Sequence, residues 1–206
     1  MLLDRGGGVM YDEEADLYVD VALAEPEVMH GRRVVAAVDG SGGSKAALRF
    51  ALEDAARRGV PVEAVIAYRV PELWVDYDGI GSPEERRLHD TLRSQSEDKV
   101  RTAIDEAARD FDGPLPDVEV RAALGPPADA LIRESDGADL LVVGSRGHGG
   151  FHTMLLGSTS MQCAMHAPCP VTVVHSPEAH SHRLRLHRER QDQRPSERRG
   201  RVDAPD

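Results

Sequence analysis

Cysteine is nearly absent from this chain: Cys163 and Cys169 are the only two in 206 residues. Two thiols do not make a disulfide framework, and so few fit a reducing compartment. Also missing is any apolar run near the roughly 20 residues that a bilayer crossing needs. The opening residues, MLLDRGGGVMYDEEADLYVD, lack the basic start and apolar middle of a secretory leader. An excess of positive charge is lacking too, since the formal net charge is -11. Counterion release rewards a cationic face, so a general nucleic-acid binder is disfavoured. Together these absences lead to the expectation of a soluble, cytoplasmic protein with neither a nucleic-acid nor a membrane partner.

What is present falls into three zones. Residues 1–30 are rich in acid, with Asp4, Asp12, Glu13, Glu14, Asp16, Asp20, Glu25 and Glu27, and show no periodicity. Residues 176–206 are dominated by Arg, His, Gln and acidic side chains. Such a tail buries too little surface to offset its ordering entropy, so a flexible N-terminal extension and a disordered C-terminal tail are expected. Residues 31–175 are the foldable part. There, short Val-rich runs at Val34–Val38, Val62–Tyr68, Val118–Ala123, Leu140–Val143 and Val171–Val174 alternate with helical patterns. Continuously apolar runs suit strands buried on both faces of a parallel sheet.

Helices are expected over Ser44–Gly59, from Ser82 to about Phe111, over Ala128–Ser135 and over Ser158–His166. Gly59 is placed to stop the first, while Ser82, Pro83 and Glu85 form a capping start for the second. Parallel neighbours need right-handed crossovers, so the pattern predicts a doubly wound, Rossmann-like α/β domain. The segment PELWVDYDGIGSP, which holds Trp74, reads as a surface loop with local aromatic packing.

Ligands of open parallel sheets bind beyond the carboxyl ends of the strands, where the winding reverses. Two unusual loops are predicted there. One is VVAAVDGSGGSKAAL, with Asp39, Gly40 and Ser41 after the first strand; the other is GSRGHGGFHTMLLGSTS after the fourth. Gly144, Gly147, Gly149 and Gly150 let backbone amides approach an anion. Gly157 then leads into Ser158, Thr159 and Ser160 at a helix N-terminus, which favours phosphate. A nucleotide cradle and a purely structural turn both remain open on these grounds. The Walker A pattern fails, because Ser44 precedes Lys45 and Ala46 follows it. The dinucleotide fingerprint G-x-G-x-x-G fails as well.

The spacing G-x2-G-x9-G-S/T, at Gly144, Gly147, Gly157 and Ser158, resembles that of the universal stress proteins. VAAVDGSGGSKAALRFA and the closing CPVTVVH add to the resemblance, which covers residues 31–175. It implies five parallel strands in the order 3-2-1-4-5, an adenine nucleotide in the crevice between strands 1 and 4, and dimerisation through the last strand, Pro170–Val174. ATP is the implied ligand, with Mg²⁺ or Mn²⁺ held mainly through its phosphates and hydroxyls such as Ser41 or Ser158. Asp39 resembles the adenine-contacting acid, Ala67 the backbone contact to adenine, and Val143 with Gly144 the wall beside the ribose. Gly147, Gly157, Ser158, Thr159 and Ser160 resemble the phosphate cradle. Ile66 stands where a histidine is common in the family.

Arg146 is the cation within the glycine loop and is expected to reach a phosphate. His148 and His152 are spaced four apart, but glycines surround His148 and no third ligand is near, so no metal ligand is assigned, and His148 reads as a phosphate neighbour or a solvent-facing loop residue. Pro168 interrupts Cys163, Met165, His166 and Cys169, which disfavours a soft-metal site. No nucleophile-and-base constellation stands out, so no catalytic residue is assigned and at most a slow ATPase is expected. The reading is a stress-linked, ATP-dependent regulator. The alternatives are an ATP-cleaving phosphoryl or adenylyl transferase on the same fold, and a scaffold without nucleotide.

Overall fold

Valine-rich runs without alternation require cover on both faces, and the fold provides it. The computed structural model describes residues 31–70, 83–148 and 156–176. Both arms, the Trp74 segment, the Ser82 cap, Gly149, Gly150 and His152 lie outside the described residues. Five strands, β1 (Val34–Ala37), β2 (Val62–Tyr68), β3 (Val118–Leu124), β4 (Leu140–Gly144) and β5 (Val171–Val174), alternate with four helices. The helices are α1 (Gly42–Arg58), α2 (Pro83–Arg109), α3 (Pro127–Glu134) and α4 (Ser158–His166). All strand pairs are parallel, in the order β3-β2-β1-β4-β5, as the sequence pattern and the family resemblance lead one to expect.

Strand parity divides the core in two. Val34, Ala36, Val62, Ala64, Leu140 and Val142 face Leu48, Leu52 and Ala55 of α1 and Val100 and Ala103 of α2. The opposite parity, Val35, Val65, Ala123, Leu141 and Val143, faces Ala130 and Leu131 of α3 and Cys163 of α4. At roughly 1.5–3 kcal/mol for each fully buried aliphatic side chain, these two layers dominate the folding energy. α1 starts two residues before the expected Ser44, because Ser41 caps it by accepting the Ser44 N–H at 3.2 Å. It ends as expected at Gly59, whose φ of 65° is a left-handed cap conformation. α3 begins at Pro127, where a missing N–H costs nothing.

One feature of the second layer runs against its apolar character. Arg33 and Glu134 are fully buried, and Glu63 and Arg121 nearly so. Arg33 Nε donates to Glu63 Oε2 at 2.7 Å, and its NH2 donates to the Glu134 carbonyl at 2.8 Å and the Asp136 carbonyl at 3.1 Å. Arg121 Nε donates to Glu134 Oε2 at 3.1 Å. Burial pushes the Glu63 carboxyl above the usual carboxylate range, and the hydrogen bond from Arg33 opposes that rise. Arg133 Nε donates to the other Glu134 oxygen at 3.3 Å, so both buried carboxylates have arginine partners, while Arg121 NH2 is buried without a partner among the described residues.

Candidate functional site

β1 lies between β2 and β4, so the connections leave it and β4 toward opposite faces and open a crevice at their carboxyl ends. A cavity of about 530 Å³ fills this crevice, within the usual range for small-molecule sites. Its floor is apolar, with Ala37, Val65, Ala67, Leu131 and Val143. Its rim is polar: Asp39, Ser41 and Ser44 on the β1 side, and Arg146, His148, Ser158 and Thr159 on the β4 side.

Ten of the twelve expected residues line this one cavity: Asp39, Ser41, Ala67, Val143, Gly144, Arg146, Gly147, Gly157, Ser158 and Thr159. Gly40 and Ser160 shape it from behind. Gly40 turns the chain at φ 86°, and its N–H donates to Ser44 Oγ at 3.1 Å. Ser160 is buried, and its hydroxyl donates to the Gly144 carbonyl at 2.6 Å, tying α4 to the end of β4. Val65, Pro127 and Leu131 also line the cavity, although the sequence reading gives them no place in the site, and so does His148.

The glycines have different reasons to be there. A Cβ on Gly43 would come within 2.3 Å of the Arg146 carbonyl oxygen, and one on Gly144 within 2.5 Å of the Gly43 carbonyl carbon. These two residues bring the start of α1 and the end of β4 into direct backbone contact. A Cβ on Gly147 would meet Asp39 Oδ2 at 2.4 Å, so Gly147 leaves room for that carboxylate. Gly157 is different: an added Cβ meets nothing closer than 3.6 Å, and its φ is an ordinary -69°. Among the described residues, nothing requires glycine at this position.

Polar groups converge on the cavity from both walls. Asp39 Oδ1 accepts the Ser41 N–H at 2.9 Å, and a carboxylate retains further acceptor capacity. Of the lining residues, Arg146 holds an Nε that is buried without a hydrogen-bond partner among the described residues. Gly157 is the N-cap of α4 and provides no side-chain cap, so the first N–H groups of that helix are available to an acceptor in front of it. Lys45, the residue that mimics a Walker lysine, is absent from the cavity wall and pairs with Glu106 at 2.7 Å.

No cluster of three or more His, Cys, Asp or Glu suited to a metal ion occurs among the described residues. Burial pushes the Cys163 thiol up to about 11 and raises Cys169 as well, which keeps both protonated at neutral pH.

An open parallel sheet with a helix N-terminus at its switch point defines an α/β domain of the doubly wound class. The family model that matches residues 31–175 is that of the universal stress protein family, and the chain belongs to that family. A universal stress protein of Mycolicibacterium smegmatis is 35% identical over 160 residues, covering 76% of this chain and 50% of that protein. Universal stress protein Rv2623 of Mycobacterium tuberculosis is 34% identical over 144 residues, covering 68% and 44%. The chain thus spans about half the length of the curated relatives it matches. Among solved structures, the universal stress protein UspA from Lactobacillus plantarum shares the fold. It has a TM-score of 0.52 and 23% identity over 71% of this chain and 99% of that one. No described helix is long and apolar enough to cross a membrane.

Proposed function

We propose that this chain binds ATP in the crevice between the loops after β1 and β4, and that it works as a stress-linked, nucleotide-dependent regulator. The observation that carries the reading is the polarity of the cavity, with an apolar floor between β1, β2 and β4 and a rim of anion-seeking groups at α4. The floor, near Ala67 and Val143, suits a flat apolar base. Asp39 suits an amino or hydroxyl donor of a nucleoside, because an ionised carboxylate only accepts. Gly144 and Gly147 keep the cavity wall free of side chains, and the first N–H groups of α4 with the Ser158 and Thr159 hydroxyls are donors where the helix dipole favours negative charge, the Gly157 N–H being given to the Ser145 carbonyl at 2.8 Å. Arg146 supplies a cation, and its buried Nε, unpartnered among the described residues, calls for an acceptor such as a phosphate oxygen. A divalent ion would be held by the phosphates, with Ser41 or Ser158 nearby. Isothermal titration with ATP, AMP and GTP, each with and without Mg²⁺, tests this. ATP should bind more tightly than GTP, and the absence of any saturable heat from ATP would sink the proposal.

β5 is the second half of the proposal. It pairs with β4 on one side, and its four residues are only half-buried. Met161 and Met165 of α4 are exposed at 44% and 62%. A strand with a free edge seeks a partner, and a second copy of the chain can pair with it through Pro170–Val174. The Leu141 and Ser145 N–H groups bond the Pro170 and Val174 carbonyls, so Val173 turns its N–H away from β4, and Val173→Pro removes it from that edge. The expected result is a monomer by light scattering where the wild type is a dimer; an unchanged mass would rule this interface out.

A further inference from the structure

His148 is absent from the glycine spacing, yet it makes a direct polar link across the crevice. Its Nε2 lies 2.9 Å from the backbone oxygen of Asp39, 109 residues earlier in the chain. Asp39 is thereby held at three points. Its carbonyl is held by His148, its Oδ1 by the Ser41 N–H at 2.9 Å, and its Oδ2 sits over Gly147. The turn beneath it is Gly40, at φ 86°, whose Cβ position would be 3.7 Å from the same Nε2. An exposed glycine turn has many conformations available, and a cross-crevice hydrogen bond removes some of them before a ligand arrives.

We infer that His148 is a positioning residue for nucleoside recognition: it clamps the Asp39 turn of one wall to the glycine loop of the other. The inference rests on the binding reading above and goes beyond it. A carbonyl can only accept, so Nε2 carries the proton in the link. The neutral Nε2–H tautomer and the imidazolium both satisfy it, so the clamp does not depend on the charge of the ring. Among the described residues, the charged side chains that line the cavity with it are Asp39 and Arg146. A histidine acting instead as a phosphate ligand would work as the imidazolium, and its contribution would fade as pH rises.

The test uses the full chain with adenosine, AMP and ATP as probes. His148→Ala should weaken all three by a similar factor, about 3- to 10-fold, the worth of one hydrogen bond of ordinary strength. His148→Gln carries an amide N–H at the same side-chain depth and should restore binding to within about twofold. The loss should be the same between about pH 5 and 8. A loss confined to ATP that disappears on raising the pH would make His148 a phosphate ligand and overturn the clamp, as would unchanged binding of all three. Nitrogen NMR of the ligand-free protein adds a readout independent of nucleotide. Neutral His148 should show the Nε2–H tautomer, and the Nδ1–H tautomer would refute the link. Wild-type protein that binds none of the probes, yet shows the Nε2–H tautomer, would remove the binding reading and this role with it while leaving the link itself in place.

Discussion

Aspartate in place of Gly157 should leave the protein as stable as before, or slightly more so, while weakening ATP binding at least ~100-fold, or about 2.7 kcal/mol. The two effects have opposite signs because the position has two neighbours. Toward the protein, Gly157 is the N-cap of α4, and among the described residues an added Cβ finds no contact shorter than 3.6 Å. Asp is a better N-cap than Gly by a few tenths of a kcal/mol, and its charge suits the helix dipole. Toward the cavity, the same carboxylate stands where the proposed phosphates would be, and like charges brought together cost several kcal/mol. Thermal unfolding and ATP titration of the single variant separate the readings. If Gly157→Asp lowers stability sharply, the glycine is structural; if it binds ATP normally, α4 does not face the phosphates.

The second large effect is expected far from the crevice. Arg33→Met should destabilise the fold by about 3–5 kcal/mol at neutral pH, the usual result of removing one partner from a buried ion pair. It strands Glu63 and takes a donor from the carbonyls of Glu134 and Asp136. The sign of the pH dependence follows from the burial of Glu63. Its folded-state pKa is raised above the unfolded value, so its contribution is most favourable at low pH and is lost as pH rises through the folded value. Losing Arg33 raises that carboxyl further, so the deficit of the variant should shrink toward about pH 5. Adding Glu63→Leu should recover much of the deficit, since apolar replacements of buried pairs are often neutral. Urea unfolding at two pH values measures both; a deficit below about 1 kcal/mol would show that the pair contributes little.

Much of this fold can be read along the chain because its signals are local. Uninterrupted Val-rich runs, Gly59 past the end of α1 and proline at the start of α3 each report on a few neighbouring residues. The order of the strands comes from the resemblance carried by the loops, since runs such as Val34–Val38 do not say which strand they pair with. Likewise Gly144, Gly147, Gly157 and Ser158 mark the site by spacing alone. The remainder depends on distant pairings. Arg33 and Glu134 are 101 residues apart, and His148 and Asp39 are 109 apart. A trace of the buried cluster is visible in VEAVIAY and VEVRAAL, where Glu63 and Arg121 break apolar runs. Only the register, which sets Val65 opposite Arg121 and Glu63 opposite Glu119, shows that the two charges share one face. Leu131 enters the cavity wall because α3 packs over β2, which no local pattern of α3 reveals.

The backbone contact between Gly43 and Gly144 also bears on how such a sequence can change over generations. Ser158 can become threonine, or Arg146 lysine, in one step with the groove intact. A side chain at either of the two contact glycines instead drives α1 from β4, and no single change at the other position makes room, because glycine is already the smallest residue. Drift therefore has free passage through the lining of the groove and almost none through the joint beneath it. New ligand preferences are within reach of point substitution in this domain, whereas a wider gap between its two loops would need the backbone itself rebuilt.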